Sequence, residues 1–63
     1  MGTIEKAILA VVTRDMERVA GGAPIFYAET EREMEHLAFT LEKILDGMAH
    51  RLDPLTMIIV RHA

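Results

Sequence analysis

The hydrophobic positions fall into short blocks separated by polar or Gly/Pro-containing breaks. Residues Ala7 to Val12 form a continuously apolar run rich in branched side chains. A run this short, bounded by polar residues, predicts a strand buried on both faces, and Thr13-Arg14-Asp15 ends it. Residues 14 to 23 show no clear period. Arg14 to Ala20 fits either one helical turn or an irregular loop, and Gly21-Gly22 then interrupts the chain, because paired glycines reach positive φ at little cost. Pro24 has a fixed φ and no N–H, which suits the first residue of a strand, and Ile25-Phe26-Tyr27 reads as a short one.

Thr30-Glu31-Arg32-Glu33 is a capping box, in which the Thr30 hydroxyl accepts from the Glu33 amide while Glu33 reaches back. Glu31 and Glu33 also suit the positive end of a helix dipole. From there Met34, Leu37, Ala38, Leu41, Ile44, Leu45, Met48 and Leu52 recur at spacings of three and four. This pattern predicts one face of a long amphipathic helix ending near Leu52, since Pro54 disfavours helical geometry at Asp53. Leu55 to Val60 is a final apolar strand. The expected order is β–β–α–β, an α+β fold in which a three-stranded sheet carries one long helix on one face, as a single domain over residues 1–63.

That layout leaves a surface without cover. By alternation Ile8, Ala10 and Val12 oppose Ala7, Leu9 and Val11, and Met57 and Ile59 oppose Ile58 and Val60; both strands are apolar on both faces. One helix covers one face of a sheet. The other, a patch on the order of 240 Å² for three strands, is of the kind that marks an interface. Phe39 adds a second hint. At 100° per residue it falls about 140° from Met34, among His36, Lys43, Asp46 and His50 on the polar side of the helix; a single exposed aromatic there is also common on protein surfaces. The interface expected from sequence is Ala7, Leu9 and Val11, or the opposite set of that strand, with Phe39, Arg61 and His62.

Composition sharpens the picture. A chain of 63 residues buries only roughly 60% of the surface its unfolded form exposes, and with no Cys it has neither a disulfide nor a CxxC zinc site to staple it. Half the residues are hydrophobic (51%) and 27% are charged, which argues against disorder. A net charge of −3 argues against a nucleic-acid partner, and the acidic polar side of the helix against binding to anionic lipid. There is no signal peptide pattern and no apolar run of membrane-spanning length, so the expected location is cytoplasmic, with membrane association only through a partner.

Catalytic chemistry finds little purchase. The sequence contains no Ser and no Cys, the two commonest nucleophiles. Glu33-x-x-His36 has the spacing used in di-iron bundles, but a full site needs two such motifs and two further Glu. Asp46 and His50, one turn apart, read as an ion pair, and His36 and His50 on one helix would stand about 21 Å apart. Arg61-His62 at a strand end superficially resembles the nucleophile motif of histidine phosphatases, yet here it closes the chain instead of opening a larger domain. Gly21-Gly22 offers backbone amides to an anion, with Arg18 close by, although GxGxxG and GxxxxGK[ST] are both absent. No catalytic residue, metal or cofactor is assigned. The alternative to an interaction module is a homo-oligomer binding a small ligand or anion between subunits, with an enzyme activity formed there. Its candidate residues are Arg18, Gly21, Gly22, Glu29, His50, Arg61 and His62.

Several strings together carry a family likeness: Ile4 to Thr13, Arg18 to Ala28 with its Ala-Gly-Gly-Ala-Pro-Ile-Phe core, Glu33-Met34-Glu35 followed by Ala38-Phe39, Leu41 to His50, and Ile58 to His62. They resemble a family of very small proteins of Bacillota spore-formers, the capping complex subunit for YIEGIA. The likeness spans nearly the whole chain. It implies an accessory, sporulation-associated subunit that docks from the cytoplasmic side on a YIEGIA protein, a multi-spanning membrane protein named for a sequence motif. It brings no catalytic residues with it.

Overall fold

A computed structural model describes residues 8–61; the positions of Ala7 and His62 lie outside this range. The chain forms β1 (Ile8–Thr13), a 3-10 turn (Met16–Arg18), β2 (Ile25–Tyr27), α1 (Glu31–Leu45), β3 (Gly47–Asp53) and β4 (Thr56–Arg61). One sheet takes the order β2-β1-β4-β3. β1 runs parallel to β2 and antiparallel to β4, which in turn runs antiparallel to β3. The helix carries the chain from one edge of the sheet to the other and packs across β1, β4 and β3.

The fold is α+β with one helix, as the patterning predicts, but the sheet has four strands and the order is β–β–α–β–β. The difference lies at the helix C-terminus. α1 stops at Leu45, not near Leu52. Asp46 takes left-handed angles (φ 54, ψ 47) and donates its amide to the Glu42 carbonyl, a common way to end a helix. The next seven residues form β3, joined to β4 through Pro54 and Leu55. Met48 and Leu52 mislead because a spacing of four satisfies the 3.6 period of a helix and the period of two of a strand alike. The Asp46-Gly47 pair is the stop signal in the sequence.

Gly47 starts β3 because nothing larger fits. A Cβ there would stand 2.6 Å from the Val60 carbonyl oxygen and 2.8 Å from Ile59 Cγ2. At the other end of the helix the Thr30 hydroxyl accepts from the Glu33 amide at 3.0 Å. The Glu33 carboxylate accepts from the amide of Glu29 at 2.9 Å, one residue before the cap, so the Thr30 half of the capping box is made and the return bond falls on the neighbouring amide. The irregular segment contains the 3-10 turn, capped by Asp15, whose carboxylate accepts from Glu17 N at 3.1 Å.

The core lies between α1 and the sheet: Met34, Ala38 and Leu41 from the helix against Ala10, Val12, Met57 and Ile59. Ile44 and Leu45, which the spacing assigns to the buried stripe, are exposed at the last turn (69% and 37%), because the chain turns back into β3 there.

Candidate interaction surface

Register decides which side chains face away from the helix. Cα partners in a ladder share a face. Val11 pairs with Ile58 and with Ile25, Ile8 pairs with Val60, Val60 with Met48, and Ile58 with His50. Met57 and Ile59 are buried against the helix, so the alternate set Ile8, Val11, Ile25, Met48, Ile58 and Val60 lies on the opposite face. Among the described residues no helix or strand covers it, and only its Thr13–Thr56 end is closed. Three strands of about 20 Å and the shorter β2 of about 10 Å, at about 4.8 Å spacing, give it a footprint on the order of 300 Å². The register also places His50 within it, with Tyr27 and Asp53 at the end marked by Thr13 and Thr56.

A bulge sorts the residues of β1. Ile8 pairs with Val60 and Ala10 with Ile59, so Leu9 is an extra residue in the ladder. The bulge resets the alternation, leaving Ile8 and Val11 on the open face. Leu9 instead packs against the core cluster, 3.2 Å from where a Gly47 Cβ would sit. The simple alternation of the sequence therefore splits: of the expected contacts, Val11 lies on the open face and Leu9 does not. Phe39 stands on the outward face of α1, 52% exposed.

One end of the open face is closed. Thr13 and Thr56 face each other across β1 and β4 and are 0% and 1% exposed. The Thr13 hydroxyl accepts from the amide of Asp15 at 3.0 Å and lies 3.2 Å from Thr56 Oγ1. Arg18 pairs with Asp53 at 3.1 Å, which ties the 3-10 turn to the end of β3. At the β2 side an open groove of about 630 Å³ runs between Ile8, Val11 and Ile25 and the loop from Ala20 to Pro24.

The candidate ligand residues are not gathered into one pocket. Gly21 and Gly22 line the groove, but Arg18 is engaged by Asp53. Glu29 precedes the helix. His50 is on β3, at the far edge of the sheet from β2, and Arg61 ends β4, the neighbour of β1; neither lines the groove. Among the described residues no three His, Asp or Glu side chains converge to hold a metal ion, and no helix is long and apolar enough to cross a membrane. Met48 joins the surface only once β3 is known to be a strand; its alternation with His50 is the signal in the sequence.

Comparison with known proteins identifies the family. The family described as "Capping complex subunit for YIEGIA" matches residues 5–62. The chain belongs to that family. It is also 48% identical over 60 residues, covering 95% of its own length and 94% of the relative's, to the uncharacterized protein YpzH of Bacillus subtilis (strain 168). No solved structure matches it.

Proposed function

We propose that this chain is a non-catalytic interaction subunit that seats its open sheet face on an apolar surface of a YIEGIA-type membrane protein, on the cytoplasmic side. The observation that carries the reading is the open face itself. Ile8, Val11, Ile25, Ile58, Val60 and Met48 form a contiguous apolar field, and a field of that scale without cover marks a protein contact. The family description supports the choice of partner. Phe39, exposed on the opposite side of the molecule, is a second contact point for a complex of more than two proteins.

Co-expression with the YIEGIA protein encoded in the same genome, followed by affinity capture from detergent extract, tests the reading. Val60→Asp and Met48→Asp are expected to lower recovery at least tenfold, while Phe39→Ala lowers it less. Far-UV circular dichroism of each variant alone checks that the fold is kept. Undiminished capture of folded Val60→Asp and Met48→Asp proteins overturns the proposal.

A further inference from the structure

The two edges of the sheet differ. At the β3 edge the Glu42 carboxylate accepts the outward amide of Ala49 at 2.7 Å, and Arg51 is held to Glu31 and Glu35 at 3.2 and 3.1 Å. Charges that occupy or flank edge groups prevent strand addition. Among the described residues the β2 edge has no such guard. Val11 N donates to the Pro24 carbonyl at 2.8 Å and Ala28 N to the Thr13 carbonyl at 2.9 Å. In a parallel ladder alternate residues face the partner strand, so Phe26 faces β1 as well. The N–H and C=O groups of Ile25 and Tyr27 therefore point away from the sheet. The strand itself, Ile25-Phe26-Tyr27, is uncharged, with Phe26 37% and Tyr27 53% exposed.

This edge is complementary to itself. Its outward groups sit one residue either side of Phe26. Two copies meeting antiparallel about a two-fold axis at Phe26 would set Ile25 of each against Tyr27 of the other. Each such pair exchanges two hydrogen bonds, and Phe26 faces Phe26 at the axis. Ile25 of one copy contacts Tyr27 of the other and Tyr27 contacts Ile25 in return, the reciprocity that an isologous dimer requires. We infer that β2 is a homodimerisation edge, joining two sheets into one of eight strands and placing the two open faces side by side. The guarded β3 edge stops further growth, so the assembly closes at two copies.

The contact is small. Two aromatic side chains of about 200 Å² each at these exposures contribute roughly 400 Å² to the pair. Even with Ile25 and the backbone the total stays under the ~1,200 Å² of a stable complex. The dimer is therefore weak and reversible, with its midpoint in the high micromolar range.

The test uses the whole chain alone, so that its outcome is independent of capture by a membrane partner. Sedimentation equilibrium up to millimolar concentration is expected to show reversible doubling of mass. Tyr27→Pro removes one outward amide and none of the amides facing β1, a substitution edge strands tolerate. It should shift the dimer midpoint upward at least tenfold. The protein contains no Cys, so single cysteines report register. Phe26→Cys stands opposite its own copy and should form a disulfide-linked dimer under mild oxidation. Ile25→Cys lies beyond the ~7 Å limit for Cα atoms from its own copy and should not. A monomer at millimolar concentration overturns the inference. So does a dimer that persists undiminished in folded Tyr27→Pro, which would place a second copy on the open face instead, and so does equal cross-linking of the two cysteine variants.

Discussion

The Glu42 carboxylate, from the last turns of α1, accepts the backbone amide of Ala49 in β3 at 2.7 Å. The bond joins the helix to the strand that follows it and fills a hydrogen-bonding position that an incoming strand would otherwise take. Glu42→Ala should cost about 1–3 kcal/mol, the usual loss when a partly buried amide loses a charged acceptor. Glu42→Gln, which keeps an acceptor oxygen, should cost less than half as much. Urea unfolding checks both. With the β3 edge unguarded, Glu42→Ala should also aggregate faster at equal fraction folded.

Gly47 and Gly22 make an opposed pair. Alanine at 47 must push back a main-chain oxygen only 2.6 Å away, and overpacking against backbone should cost about 2–3 kcal/mol. At Gly22 a Cβ meets nothing within 4 Å and φ is not positive. Gly22→Ala should be neutral or stabilising by about 0.4–1 kcal/mol through loss of freedom in the unfolded chain. Thermal unfolding of the two variants beside the parent distinguishes the cases.

Adjacent isoleucines report the two faces of the sheet. Ile59 is 0% exposed under the helix, and Ile59→Ala should cost about 2–5 kcal/mol. Ile58 is half-buried on the open face, so Ile58→Ala should cost about 1 kcal/mol in the isolated chain. In the presence of the proposed membrane partner the order reverses for binding: Ile58→Ala weakens capture while Ile59→Ala, where folded, leaves the contact surface intact. Denaturation of the free chain and capture assays on the same variants give the two readouts.

The strongest sequence signals were local ones. The Thr30–Glu33 capping box, the Met34–Leu41 stripe and the short apolar blocks of β1, β2 and β4 correspond to elements of the structure, because each depends on neighbours within one turn or one strand. What escaped them depends on distant contacts. β3 was hidden by the double meaning of a four-residue spacing at Met48 and Leu52. The bulge at Leu9 is fixed by pairing across strands, Ile8 with Val60 and Ala10 with Ile59, which no periodicity within β1 encodes, and it decides which of Leu9 and Val11 faces outward. An uncovered apolar face was legible from the count of two-faced strands against one helix. Its membership was not, since membership follows register.

The pair Thr13 and Thr56 bounds that face, and its energetics show how. Thr56 Oγ1 has Thr13 Oγ1 as its partner at 3.2 Å, whereas Thr13 Oγ1 also accepts from Asp15 N at 3.0 Å and lies 3.2 Å from the Leu55 carbonyl. Thr13→Val strips a buried amide of its acceptor and strands the Thr56 hydroxyl, so it should cost about 2–3 kcal/mol. Thr56→Val leaves Thr13 with its other partners and should cost under about 1 kcal/mol. In the double variant no hydroxyl is stranded, so its cost should fall short of the summed single costs by about 1 kcal/mol, the range found for groups in one network. A double-mutant cycle by urea unfolding measures this coupling. Strict additivity would mean that the two hydroxyls do not depend on each other. With the Asp15 amide released, the 3-10 turn keeps the Arg18–Asp53 pair but loses one of its holds on the end of the sheet. Thr13→Val should therefore also speed amide exchange across Asp15 to Arg18, while Thr56→Val does not.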